Sequence, residues 1–335
     1  MNDALTPEGG PVGDHWDVII VGAGPAGLSA ALILGRCRRR VLICDRGTPR
    51  SWASHAMHGF VSRDGIPPDL FRTEVHQELA RYSSVRFLAD EVVSAQRAPG
   101  PRFKVLFKSG EVASGRKLLL ATGVMDELPE LPGVERYFGV SVFSCPYCDG
   151  WELRGAPVAV YGRGARGFEM ARALTAWTED ILLCTDGPAR FTASQRHALT
   201  ANDIKVDESR IVALDGADGE LRSIRFADGT VVACKALFFD MPCHPQSQLA
   251  STLGCELTSS GGIRCGRYEA STVQGVFIAG NILKNVQLSI VAAGEGAQAA
   301  FGINRALTRE DFDRRAGVAE PLDHPGPPPR DSASH

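Results

Sequence analysis

The chain lacks an excess of positive charge. Its 36 Lys and Arg stand against 39 Asp and Glu, a formal net charge of −3, so no overall basic field gathers a polyanion and nucleic acid is not an expected partner. A secretory signal is also missing from the N-terminus: Met1 to Asp14 holds acidic residues and no basic stretch ahead of an apolar run, which leaves a cytoplasmic protein as the expectation. One uncharged run, 18–35, has membrane-spanning length, but Gly22, Gly24, Pro25 and Gly27 interrupt it. A strand, a glycine turn and a buried helix explain those residues, so no membrane contact is expected. At 335 residues, 44% apolar and 22% charged, the chain is long enough for two cores of ordinary size.

Nine cysteines, at 37, 44, 145, 148, 184, 234, 243, 255 and 265, are odd in number and scattered through a chain too large to need disulfide staples. Most read as core thiols. Cys44 and Cys184 lie in apolar, strand-like runs, where a free cysteine behaves as a small hydrophobe.

Two segments resemble each other. The first is Asp17-Val-Ile-Ile-Val-Gly22-Ala-Gly24-Pro25-Ala26-Gly27, a helical stretch to about Arg36, then a strand ending in Asp45. The second is Val158-Ala-Val-Tyr-Gly162-Arg-Gly164-Ala-Arg-Gly167, a helical stretch to about Trp177, then a strand and Asp186. The acid follows the first glycine by 23 residues in one copy and 24 in the other. A strand before the glycines, a helix after them and an acid at this distance point to a dinucleotide-binding βαβ unit, and the repetition strengthens that reading. The first glycine turns the chain, the second admits a pyrophosphate, and the third lets helix pack on strand.

Between and after the copies, Arg102–Phe107, Lys117–Ala121 and the segment from Gly275 to Ala279 read as strands, and Ser289–Leu307 as a small-residue helix. Proline and glycine punctuate Asp126–Gly133 and Phe239–Pro245, which read as crossings between domains. The expected fold class is α/β, with two Rossmann-like three-layer nucleotide-binding domains, the second inserted into the first. The first would comprise 15–123 and 242–313 and the second 124–241, with disordered tails at 1–14 and 314–335.

Ser144-Cys145-Pro-Tyr-Cys148-Asp149-Gly150 carries the most chemical information. Two thiols separated by two residues close a small disulfide ring, and one thiol of such a pair is often acidified into a nucleophile. Near a βαβ pattern the pair reads as redox-active. The alternatives are a zinc site, for which no second cysteine pair or closely spaced histidine pair follows, and an inert pair. No metal is expected.

These features together resemble the low-molecular-weight thioredoxin reductase family of FAD-dependent disulfide oxidoreductases, over roughly Trp16–Leu307. The resemblance rests on the two glycine loops, Ala121-Thr122-Gly123, Cys-x-x-Cys-Asp-Gly at 145–150, and Ala279-Gly280 followed by Ala292-Ala-Gly-Glu-Gly296. It implies FAD as cofactor, with the pyrophosphate on Gly22, Gly24, Pro25, Ala26 and Gly27 and the adenosine ribose on Asp45. Arg46, Thr122, Gly123, Gly280, Asn281 and Gln287 would line the remainder. The inserted domain would swing against the first, presenting the thiols to flavin or partner, with Cys148 facing the flavin and Cys145 exchanging with substrate. Asp149 would be the acid–base that moves a proton to or from a departing thiolate; a turn-forming aspartate before glycine is its plainer role. The resemblance also implies a homodimer.

Three departures from the family stand out. Where it carries arginines for the 2′-phosphate of NADPH, this chain has Cys184-Thr-Asp186-Gly-Pro, which disfavours NADPH and leaves NADH, or no nicotinamide at all, as the options. Arg163 and Arg166 would touch phosphates or serve as surface charges. Asn281 replaces an aspartate expected at the flavin's ribityl chain. His55-Ala-Met-His58-Gly-Phe occupies a loop that approaches the flavin, making His58 a candidate proton carrier there or an ordinary loop histidine. These departures resemble a branch that includes flavin-dependent dithiol oxidases of natural-product pathways, in which a substrate dithiol reduces the cysteine pair and oxygen reoxidises the flavin. Oxidation of a small dithiol is thus the leading expectation. A reductase driven by NADH, NADPH or ferredoxin toward a thioredoxin-like protein is the alternative, and a flavin redox sensor without turnover a third.

Overall fold

The computed structural model describes residues 15–100, 102–284 and 286–317. The described chain divides into two compact units. Of the described residues, the first comprises those in 15–49, 69–124 and 245–317, the second those in 50–68 and 125–244.

The first unit begins with β1 (Trp16–Val21), α1 (Pro25–Arg36) and β2 (Val41–Cys44). It continues through α2 (Pro68–Leu79), β3 (Val85–Leu88), β4 (Val92–Ala98), β5 (Arg102–Phe107) and β6 (Val112–Leu120). Strands β3, β2, β1 and β6 run parallel, and β6 continues antiparallel onto β5 and then β4. The run Val18–Val21 is buried throughout, as a parallel strand covered on both faces must be. The 18–35 run is therefore a strand, a turn and a helix. Among the described residues no helix is long and apolar enough to cross a membrane.

The chain passes to the second unit through β7 (Val124–Asp126) and β8 (Val142–Phe143), followed by the single turn α3 (Pro146–Asp149). A second βαβ follows: β9 (Val158–Tyr161), α4 (Gly164–Leu174) and β10 (Ile181–Cys184). Next come α5 (Ala193–Ala201), β11 (Lys205–Asp207), β12 (Ile211–Ala217), β13 (Glu220–Phe226), β14 (Val231–Ala233) and β15 (Ala236–Phe239). The parallel order is β11-β10-β9-β15-β8, and β12-β13-β14 form an antiparallel meander. Alternate residues of β15 serve different layers. Phe238 packs with Met170 and Leu174 of α4, whereas Leu237 and Phe239 pack with Ile224 and Phe226 of the meander.

The chain returns through β16 (Cys243–Pro245), which pairs with β7, then α6 (Leu249–Thr252), β17 (Val276–Ile278) and α7 (Ser289–Arg315). Strand β17 pairs parallel with Leu118–Leu120 of β6, on the edge that β1 leaves free. Helix α7 packs on α1, and the approach is close: a side chain at Gly296 would put its Cβ 2.0 Å from the carbonyl oxygen of Ala26.

Two features differ from the sequence expectation. Residues 50–68 belong to the second unit rather than the first; Gly47 and Pro49 on one side and Gly65, Pro67 and Pro68 on the other punctuate the excursion, but such punctuation also marks ordinary surface loops within one unit. The last helix runs through Arg315, so 314 and 315 are helical rather than tail. The expected tails otherwise lie outside the described residues.

The end of α7 is held by charge. Arg116 and Lys117 of β6 are only 9% and 5% exposed. Arg116 lies 3.2 Å from Asp17, 2.8 Å from Glu310 and 2.8 Å from Asp311. Lys117 pairs with Glu310, and Arg39 reaches Asp311 at 2.7 Å. Removing one member of a buried ion network strands the others. Arg116→Ala is expected to cost about 3 kcal/mol, read as a lower urea midpoint for the first unit. An unchanged midpoint would show that the network is neutral to stability.

Candidate active site

Cys145 and Cys148 form a disulfide with their Cα atoms 5.3 Å apart. The local sequence favours that closure. Cys145 is the extended N-cap of α3 and Pro146 takes the first helical position, where its missing N–H costs nothing. The Cys145 carbonyl accepts from the N–H of Cys148 at 3.2 Å and of Asp149 at 3.3 Å. Trp177 fixes the turn from outside: a Cβ at Gly150 would stand 2.7 Å from its ring, and Tyr147 meets the ring edge-on at 5.5 Å.

The other seven cysteines form no disulfide. Burial raises the Cys44 and Cys184 thiols far above their ordinary value and pushes Cys234 up to about 12, which keeps them protonated and unreactive at neutral pH.

Asp149 is half-buried. Burial raises its carboxyl from the ordinary 3.8 to about 7; His58 works against that rise and Glu152 adds to it. His58 comes from the 50–68 loop of the same unit, with Nδ1 3.6 Å from Asp64 Oδ1 and 3.7 Å from Glu152 Oε1. The structure therefore places His58 with the thiols and Asp149 in the second unit, and the first glycine loop, Gly22–Gly27, in the first.

In the first glycine loop, Gly22 has φ +105°, and a Cβ there would lie 2.3 Å from the Ala121 carbonyl oxygen. At Gly27 the clash would be 1.9 Å, with the Gly22 oxygen. Gly24, the N-cap of α1, has no side-chain cap and open space around it, and Pro25 and Ala26 begin the helix. Asp45 follows β2. Its Oδ2 accepts from Arg72 at 2.6 Å and its Oδ1 from the Gly47 N–H at 3.3 Å. Arg46 donates to Gln246 Oε1 at 2.6 Å, and the Gln246 N–H donates to the Gly123 carbonyl at 3.2 Å. The buried Thr122 Oγ1 has no hydrogen-bond partner. The Gly280 N–H donates to buried Glu295 at 2.8 Å, Asn281 opens a short 3-10 turn, and Gln287 is half-buried ahead of α7.

The second loop repeats the template with a different outcome. The Gly164 N–H is taken by the Ala189 carbonyl at 2.8 Å. The Arg163 side chain folds over the end of β10 and donates to the carbonyls of Thr185 and Asp186. Asp186 Oδ1 accepts from the Ile211 N–H at 2.7 Å, and Oδ2 lies 3.6 Å from Arg163. A cleft of about 750 Å³ opens beside this loop, with Arg166, Arg210, Glu130 and Asp240 on its walls.

The family model described as pyridine nucleotide-disulphide oxidoreductase matches residues 16–296. The chain belongs to that family. It is 32% identical to thioredoxin reductase tcpT of Claviceps purpurea (strain 20.1), over 85% of this chain and 92% of the relative. Among solved structures, HlmI superposes with a TM-score of 0.87 at 35% identity, covering 95% of this chain and 98% of HlmI. A thioredoxin reductase, TrxB, from Bacillus anthracis gives 0.84 at 32%, covering 89% and 100%. This pyridine nucleotide-disulphide oxidoreductase is thus an FAD-dependent disulfide oxidoreductase of thioredoxin reductase type.

The first unit fits FAD: the helix N-terminus at Gly24 is uncapped and open, and Thr122 holds a buried hydroxyl with no protein partner. Sequence reasoning missed Arg72 and Gln246, which hold Asp45 and Arg46, and gave no role to Glu295 beyond its place in a motif. A carboxylate inside the small-residue run Ala292–Ala300 was the available signal for Glu295. Nothing in the sequence marked Arg72.

The raised carboxyl of Asp149 also has a stability consequence. The native group keeps its proton to higher pH than the unfolded chain does. Its contribution is therefore full below 3.8 and lost as pH rises through about 7. Relative to Asp149→Asn, the wild-type melting temperature is expected to fall between about pH 4 and about pH 8. Parallel profiles would mean that the native carboxyl is not raised.

Proposed function

We propose that the protein oxidises a small dithiol to its disulfide through Cys145 and Cys148, with FAD as the electron carrier and oxygen as the final acceptor. The observation that carries this reading is the second glycine loop. The Gly164 N–H, the Asp186 carboxylate and the ground over the end of β10 are all engaged by the protein itself. A dinucleotide needs those same groups for its pyrophosphate and ribose, so a nicotinamide donor is disfavoured and electrons enter through the thiols.

In this reading the Gly22–Gly27 loop faces the FAD pyrophosphate, Asp45 accepts from the adenosine ribose while Arg72 orients it, and Thr122, Gly123, Gly280 and Asn281 line the rest. FAD held there would supply the two-electron chemistry that links the reduced cysteines to oxygen. Cys145 exchanges with the substrate, Cys148 gives up the pair, and Asp149 carries the proton. Thr122→Val would leave the apoprotein folded and weaken FAD about tenfold, the worth of one buried hydrogen bond. Unchanged affinity in equilibrium dialysis would remove Thr122 from the site.

The alternative, a nicotinamide-driven reductase acting on a thioredoxin-like partner, is favoured by the cleft with Arg166 and Arg210 on its walls. Anaerobic flavin absorbance separates the two. Bleaching by dithiothreitol but not by NADH or NADPH, with colour and peroxide returning in air and with Cys148→Ser inert, is the expected result. Rapid bleaching by either nucleotide would sink the proposal and establish the alternative.

A further inference from the structure

The redox thiols, Asp149, Glu152 and His58 all belong to the second unit. That unit brings three titratable side chains from two segments into one cluster at the end of the Cys145–Cys148 turn. Asp149 follows Cys148 directly, Glu152 lies one turn further on, and His58 reaches in from the 50–68 loop, 3.7 Å from Glu152. Asp64 flanks His58 at 3.6 Å, but the Gly59 N–H already occupies the same Asp64 oxygen at 2.8 Å. His58 and Glu152 are the charged groups that act on Asp149, and they act with opposite sign.

We propose that His58 and Glu152 are opposed positioning residues for the proton of Asp149, so that the three groups together store and release the proton moved when the Cys145–Cys148 disulfide opens and re-forms. The inference rests on Asp149 being the acid–base of the pair.

The exchange balances as follows. A substrate thiolate attacks Sγ of Cys145, the S–S bond breaks, and the electron pair leaves on Sγ of Cys148, which takes the proton of Asp149. The Asp149 carboxylate then takes the proton of the second substrate thiol. That sulfur attacks its partner in the mixed disulfide and releases Cys145 as a thiolate. The substrate has lost two electrons, the cysteine pair has gained them, and Asp149 is protonated again. A carboxyl that must both give and take a proton in one cycle works best when its two states are close in free energy. His58 and Glu152, acting on it with opposite sign from different segments, provide that balance.

The test compares pH profiles of anaerobic flavin bleaching by dithiothreitol in wild type, Glu152→Gln, His58→Gln and Asp149→Asn. An infrared titration of the protonated carboxyl band that Asp149→Asn removes gives a second, rate-independent readout. Loss of the Glu152 charge is expected to move the Asp149 inflection down by about half a pH unit, and loss of the His58 charge to move it up by a similar amount. Shifts in the same direction, or none, would overturn the proposal. Glu152 is about half exposed and carries the test alone if His58→Gln does not fold: an inflection unchanged or raised in Glu152→Gln overturns it. An inflection that survives in Asp149→Asn would instead show that Asp149 is not the acid–base, a distinct failure of the underlying reading.

Discussion

A carboxyl group taken out of water either finds a cation or keeps its proton. Asp149 sits where neither condition is fully met: burial favours the acid, His58 favours the carboxylate and Glu152 opposes it. Much of the second unit serves that placement. Pro146 starts the turn, the Cys145 carbonyl gathers the N–H groups of Cys148 and Asp149, and Trp177 closes over Gly150. A loop from far upstream brings the imidazole. The thiols themselves need little beyond a single turn; the surrounding structure sets the protons that accompany their electrons.

The two glycine loops show how little sequence separates a receptive loop from a self-satisfied one. Each begins with a strand, three glycines and a helix, and each second strand is followed by an aspartate. In the first, Pro25 follows the central glycine and no long side chain lies between the first two, so the helix end stays open. In the second, an arginine stands between them and folds back on the carbonyls of Thr185 and Asp186. Part of the difference is one side chain long enough to donate to the carbonyls that end the neighbouring strand.

Much of this architecture was legible in the sequence because it rests on short-range rules. The strand–glycine–helix periods located β1, α1, β9 and α4 to within a few residues, and the Cys-x-x-Cys spacing located the disulfide. What stayed illegible depends on distant partners. Arg72 reaches Asp45 from a helix whose sequence reads as an ordinary charged surface. His58 lies far upstream of Glu152, which it approaches to 3.7 Å, and the glycines and prolines that bracket its loop do not say which unit the loop joins. The open or closed state of a glycine loop is likewise a tertiary fact, since Ala189 and Ile211, which occupy the second loop's polar groups, lie beyond its βαβ unit.

Strand β6 is hydrogen-bonded on one side to a strand from the start of the chain and on the other to β17, near its end. On a ribosome this imposes an order. Every residue of the second unit has been made before β17 emerges, so that unit completes first, while the nascent first unit waits with one edge of β6 unpaired. Only when α7 arrives to cover α1 is the sheet sealed. The thiol-bearing unit is therefore the early product of synthesis and the cofactor-bearing unit the late one. A message truncated between residue 244 and β17 yields a chain with its thiol-bearing unit complete and an exposed, aggregation-prone strand edge at Leu118–Leu120.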